Sequence, residues 1–102
     1  MREIKFRAWA SLTKVMIDEE TIFNNFKGYA ENKNYILLQF TGLKDKNGVE
    51  IYEGDLLQVF YAVDHPYVVH AKWDTEKAGF HRVSDYGYGA IIGNIYENPE
   101  LL

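Results

Sequence analysis

The sequence predicts a mainly β protein, an N-terminal β-hairpin segment followed by a small C-terminal β-barrel of the SH3-like type. Three observations carry this. Aromatic residues make up 16% of the 102-residue chain, as 8 Tyr, 6 Phe and 2 Trp, and such side chains favour half-buried pleated surfaces. Turn signals recur at short intervals with runs of strand length between them, as in small sandwiches and barrels. The first readable segment, Glu3 to Trp9, alternates charged and apolar residues: Glu3, Lys5 and Arg7 on one face, Ile4, Phe6 and Ala8 on the other. That is the period of a half-buried strand.

The elements follow in order. Ala10-Ser11 turns the first strand toward a second over Leu12 to Ile17, closing the hairpin. Asp18 to Asn34 supports two readings: a short helix capped by Asp18 or Thr21 with Ile22, Phe23 and Phe26 on one side, or a strand and loop, because Asn24-Asn25 is poor helix material. It is treated as a linker. Tyr35 to Phe40 is an apolar strand, and Asp45-Lys46-Asn47-Gly48 is a tight turn, since Asn and Gly accept positive φ. Val49 to Ile51 is a brief strand, and Gly54 stands where the backbone must reverse without a Cβ. Leu56 to Val63 is a longer strand, ended by Asp64-His65-Pro66, where Pro withholds a ladder bond. Tyr67 to Trp73 is the next strand, with Tyr67, Val69, Ala71 and Trp73 on one face. Asp74 to Gly79 is a polar turn, Phe80 to Val83 a short strand, Ser84 to Gly89 a loop, and Ile91 to Tyr96 the last strand. Asn98-Pro99 opens a terminal turn, with Asn as cap and Pro at the first helical position. From Val49 onward this makes about five strands, the complement of a small barrel whose closure removes exposed edges. The division expected is residues 1–40 for hairpin and linker and 41–102 for the barrel, the two forming one compact unit.

Composition excludes several functions. There are no cysteines, which removes disulfides and thiolate zinc sites. No apolar run approaches the roughly 20 residues of a membrane helix, and the basic N-terminus is followed by no apolar stretch of a signal peptide. A soluble, intracellular protein of the cytoplasm is expected. With 15 acidic against 11 basic residues, a net charge of -4, and the Lys and Arg dispersed, general coating of nucleic acid is disfavoured.

Phe40-Thr41-Gly42-Leu43-Lys44-Asp45-Lys46-Asn47-Gly48, with Ile51-Tyr52-Glu53-Gly54-Asp55, resembles the YopX protein family. Arg2 to Trp9 and Ile92 to Leu102 resemble it too, so the likeness reaches from one end of the chain to the other. It implies a phage or prophage origin, a C-terminal small β-barrel and self-association. It carries over no catalytic residue. Residues 18–34 and 84–90 hold none of the shared blocks and are where a function particular to this chain would lie.

Candidate chemistry is sparse. His70 and His81 can pair across the Asp74–Gly79 turn, with Asp74 or Glu76 as a third ligand, but no second His stands two residues away, so no metal is expected. His65 stands directly before Pro66. Glu50, Glu53 and Asp55 cluster at turns, where Asp55 is expected to hydrogen-bond the backbone. Ser11 and Ser84 sit in no nucleophile elbow. Gly42, Gly48 and Gly54 recur without a phosphate-binding pattern. Neither a cofactor nor catalysis is expected.

The function expected is a non-catalytic, oligomeric protein-interaction module acting on a host or phage protein. The alternative is a nucleic-acid-associated barrel whose aromatics, Phe60, Tyr61 and Trp73, stack on bases. Partner contact is assigned to Tyr86, Tyr88 and Trp73. Tyr86-Gly87-Tyr88-Gly89 alternates rings with glycine as binding loops do, and a core strand would not. The other reading of that run folds the tyrosines back over the barrel.

Overall fold

The computed structural model describes residues 3–60 and 65–102. The chain is mainly β, with a curled sheet that makes half a barrel. Strands β1 (Phe6–Ala10), β2 (Val15–Ile17), β3 (Tyr35–Lys44) and β4 (Glu50–Tyr52) form an antiparallel sheet in the order β2-β1-β3-β4. Strands β5 (Asp55–Phe60), β6 (Pro66–His70) and β9 (Ala90–Asn94) form a second, in the order β6-β5-β9. A two-residue hairpin of β7 (Trp73–Asp74) and β8 (Gly79–Phe80) lies between β6 and β9 in sequence.

The β1–β2 pair does not stand apart as a separate hairpin. β1 lies between β2 and β3, with Trp9 opposite both Met16 and Ile36. β3 is the reason the two ends of the chain cohere. Its first half pairs with β1 and its second half with β4, and it runs unbroken through residues 40 and 41, where the sequence suggested a boundary. The register slips between Phe40 and Lys44. Gly42 sits in that stretch at a φ of 87°, a conformation that costs glycine little.

The stretch taken as a linker is helical. Asp18 caps α1 (Glu19–Asn24) by accepting the Thr21 N–H at 2.9 Å. Asn25, at φ −150° and ψ 48°, leaves helical geometry and separates α1 from α2 (Phe26–Glu31). The Asn pair that argued against a helix therefore marks the break between two. Both helices cover the Phe6 side of β1 and β3, with Ile22 buried and Phe6 against Phe26 at 5.2 Å between centroids.

The other side of β1 is covered as well, so the alternation in Glu3 to Trp9 misleads. Arg7 and Trp9 point inward; Trp9 is buried and stacks on Tyr96 at 5.6 Å. A charged position can face the interior here because its partner does too, as described below.

Three expectations in the C-terminal half have different outcomes. Among the described residues no ladder closes the strands into a barrel. β5 ends at Phe60 among the described residues, and the rest of the strand read to Val63, with Tyr61, lies outside them. The Phe80–Val83 strand and the loop after it become β8 and a 3-10 helix over Val83–Tyr88. That helix drops Tyr86 into the main core, where Ile51, Leu57, Val59, Val69 and Ala71 surround it.

Candidate interaction surfaces

The blocks of sequence at the start, middle and end of the chain meet at Arg7. Its guanidinium reaches the Asp55 carboxylate at 2.5 Å and lies 4.8 Å from the centre of the Tyr52 ring. Asp55 is 2% exposed and accepts the Tyr52 N–H at 2.9 Å through its second oxygen. Burial pushes the Asp55 carboxyl above its ordinary pKa, with Arg7 opposing. Asp55 also lies opposite Asn94 on β9. Asn94 in turn accepts the Tyr96 and Glu97 N–H groups. This junction holds the two sheets together. Asp45 does the same for its turn: its carboxylate accepts N–H groups from Asn47, Val49 and Ile91, the last from β9. Burial opposes its charge, but those three donors and Lys46 hold its pKa below the ordinary value.

The residues assigned to partner contact divide. Tyr86 is fully buried and its hydroxyl donates to the His81 carbonyl at 2.8 Å; burial pushes its pKa to about 12. Its ring fills the core, so it presents no surface to a partner. Gly89 in the same run is explained by packing, since a Cβ there would lie 2.8 Å from Val59 Cγ2 and 3.2 Å from Leu57 Cβ. The glycine read as part of a binding loop lets backbone press against the core. Tyr88 is 77% exposed and Trp73 46% exposed, so those two rings remain at the surface.

Trp73 meets Phe80 edge-on at 5.1 Å and lines a recess of about 240 Å³ with Gly54, His70, Lys72 and Tyr96. Burial, then the Lys72 and His81 charges, lower the His70 pKa. His70 and His81 are not cross-strand partners, because the His81 N–H donates to the Lys72 carbonyl. Asp74 accepts the Glu76 and Lys77 N–H groups, a turn role. Among the described residues no group of three metal-ligating side chains occurs, and no helix is long and apolar enough to cross a membrane.

Among the described residues two apolar surfaces stand out as exposed. The first is a cleft of about 600 Å³ between the approach to β1 and the two helices, with Ile4, Phe6, Ile22, Phe23 and Phe26 in its lining. Ile4 is 75% and Phe23 85% exposed. Nothing in the sequence except the Ile22-Phe23-Phe26 spacing pointed to it. The second is the outer face of β5 and β6. Phe60 stands opposite Pro66 and Gln58 opposite Val68, so the four share one face, and Phe60, Pro66 and Val68 are exposed. Among the described residues β6 is an edge strand.

The YopX protein family matches residues 14–102. The chain belongs to the YopX protein family. This YopX-family chain is similar to protein EF1440 from Enterococcus faecalis, whose crystal structure superposes with a TM-score of 0.69. The two are 26% identical, over 100% of this chain and 99% of the other. No curated protein matches the chain.

Proposed function

We propose that this YopX-family protein is a non-catalytic interaction module that associates with itself through one face and holds a second protein, from host or phage, on another. A phage or prophage origin and action in the bacterial cytoplasm belong to the same reading and rest on the family. One observation carries it: among the described residues two apolar surfaces stand out as exposed, on different sheets. Apolar patches of this kind on soluble domains mark interaction sites. Among the described residues the β5–β6 face ends in an edge strand, the kind of strand beside which a second copy can pair. The cleft is lined from the approach to β1 and the two helices and shares no lining residue with β5 or β6. The perturbed side chains Asp45, Asp55 and Tyr86 are engaged in backbone and ion-pair contacts inside the fold, which favours binding over chemistry.

Light scattering of the full chain at rising concentration tests the self-association. A mass above the 11.9 kDa of one chain is expected. A single-chain mass at every concentration would count against it.

A further inference from the structure

We infer that the cleft beside β1 takes a basic amphipathic helix of the partner, one with large apolar side chains about one turn apart and Lys or Arg flanking them. This rests on the reading of the chain as an interaction module and adds the chemistry of what it holds.

The apolar floor supplies the first half. Ile22 is buried at the bottom, Phe6 and Phe26 pack together on one wall, and Phe23 and Ile4 stand out at the mouth. An incoming apolar side chain would meet rings already held in place at the wall and cover the Phe23 and Ile4 side chains, which are in water. Burying apolar area of this kind favours association against its entropic cost.

The charges at the rim supply the second half. Glu19 and Glu20 line the cleft, and among the described lining residues Lys5 is the only cation. Lys5 is not available to an acidic partner. It bonds Glu50, lies 3.5 Å from both Glu3 and Glu19, and sits 4.7 Å from the centre of the Phe40 ring. Its bond to Glu50 and the charges of Glu50, Glu19 and Glu3 outweigh desolvation and raise its pKa, so it stays an ammonium. One ammonium thus serves three carboxylates, with Glu20 beside them. Among the described residues the rim keeps a negative excess, which a basic partner complements.

The shape of the lining selects a helix. Strand addition needs a free backbone edge, but β1 is paired on both sides. The Lys5 carbonyl just before it accepts the Phe40 N–H. The walls are therefore side chains, the setting in which an amphipathic helix inserts its apolar face.

The test uses two fluorescein-labelled synthetic peptides of the same length and leucine spacing, one with Lys and one with Glu at the polar positions. Anisotropy with the full chain should show the Lys peptide binding at least about tenfold tighter than the Glu peptide. Phe23→Ser, which leaves the charge unchanged, should weaken the Lys peptide about tenfold, and Glu20→Lys should narrow the preference between the two. Equal binding of both peptides, or of neither, overturns the inference. So does Lys-peptide binding that survives Phe23→Ser, since general attraction to an acidic protein would explain it. If the preference is missing while the chain alone still scatters above one-chain mass, the basic partner is wrong and the interaction module stands.

Discussion

The Arg7 guanidinium and the Asp55 carboxylate lie 2.5 Å apart, joining a strand at the start of one sheet to the first residue of the other. Asp55 is buried on every side, so removing Arg7 strands a charge away from water. Breaking a buried pair in this way costs about 3 to 5 kcal/mol, and Arg7→Ala should lose that much in urea denaturation at pH 7. The pH dependence has a sign. The folded-state pKa of Asp55 lies above its unfolded value, so the folded state binds the proton more tightly than the unfolded chain does. Its unfavourable contribution is present above the folded pKa and fades as pH falls through it toward about 3.9. The deficit of Arg7→Ala should therefore shrink on mild acidification. A deficit that grows would contradict the assignment.

Asp45 runs the other way. Its pKa is lowered, so its contribution is complete above about pH 3.9 and is lost as pH falls through the folded value. Asp45→Asn keeps a carbonyl oxygen for Asn47 and Val49 but has no acceptor for the Ile91 N–H. A buried donor left without a partner costs about 1 to 3 kcal/mol. The variant should be less stable at neutral pH and should approach the parent in strongly acid solution, read by circular dichroism across pH.

Two glycines are fixed by geometry. Gly54 has a φ of 91°, and a Cβ there would lie 3.0 Å from Tyr96 Cε2. Gly54→Val should cost about 1 to 3 kcal/mol through strain. Gly89→Ala should cost a similar amount, about 1 to 3 kcal/mol, through overpacking against Leu57 and Val59. Thermal unfolding of both variants checks this, and unchanged midpoints would mean the backbone relaxes at those sites.

Tyr86 and Tyr88 should separate cleanly. Tyr86→Ala opens a core cavity and should cost about 3 to 5 kcal/mol. Tyr86→Phe loses only the bond to the His81 carbonyl, about 1 kcal/mol. Tyr88→Ala, at an exposed site, should stay within about 0.5 kcal/mol. Equal effects of Tyr86→Ala and Tyr88→Ala on the melting temperature would contradict the placement of the two rings.

Local chemistry was legible in the sequence where one residue type has one good solution. Gly48 and Gly54 have the positive φ their turns require, Asp55 bonds the turn backbone, and Val69 and Ala71, read onto one strand face, both lie in the core. What was illegible depends on who covers whom. Glu3 to Trp9 alternates as if one face met water, but helices cover one side and the Tyr52–Asp55 turn the other. Tyr86-Gly87-Tyr88-Gly89 has the composition of a loop. Only the neighbouring Val59 and Leu57 show that Gly89 is there for close approach. The cleft was invisible because it is made by the break at Asn25, which places Phe26 beside Phe6 instead of along a continued helix.

On the proposed function the two apolar surfaces do different work: the β5–β6 face joins copies of the chain and the cleft holds the partner. Sedimentation velocity of Phe60→Ser and Phe23→Ser, beside the parent and with folding confirmed by circular dichroism, tests it most directly. Phe60→Ser should fall to the 11.9 kDa of one chain, and Phe23→Ser should keep the parent's larger mass. A parent already at one-chain mass, or dissociation by Phe23→Ser and not by Phe60→Ser, would contradict it.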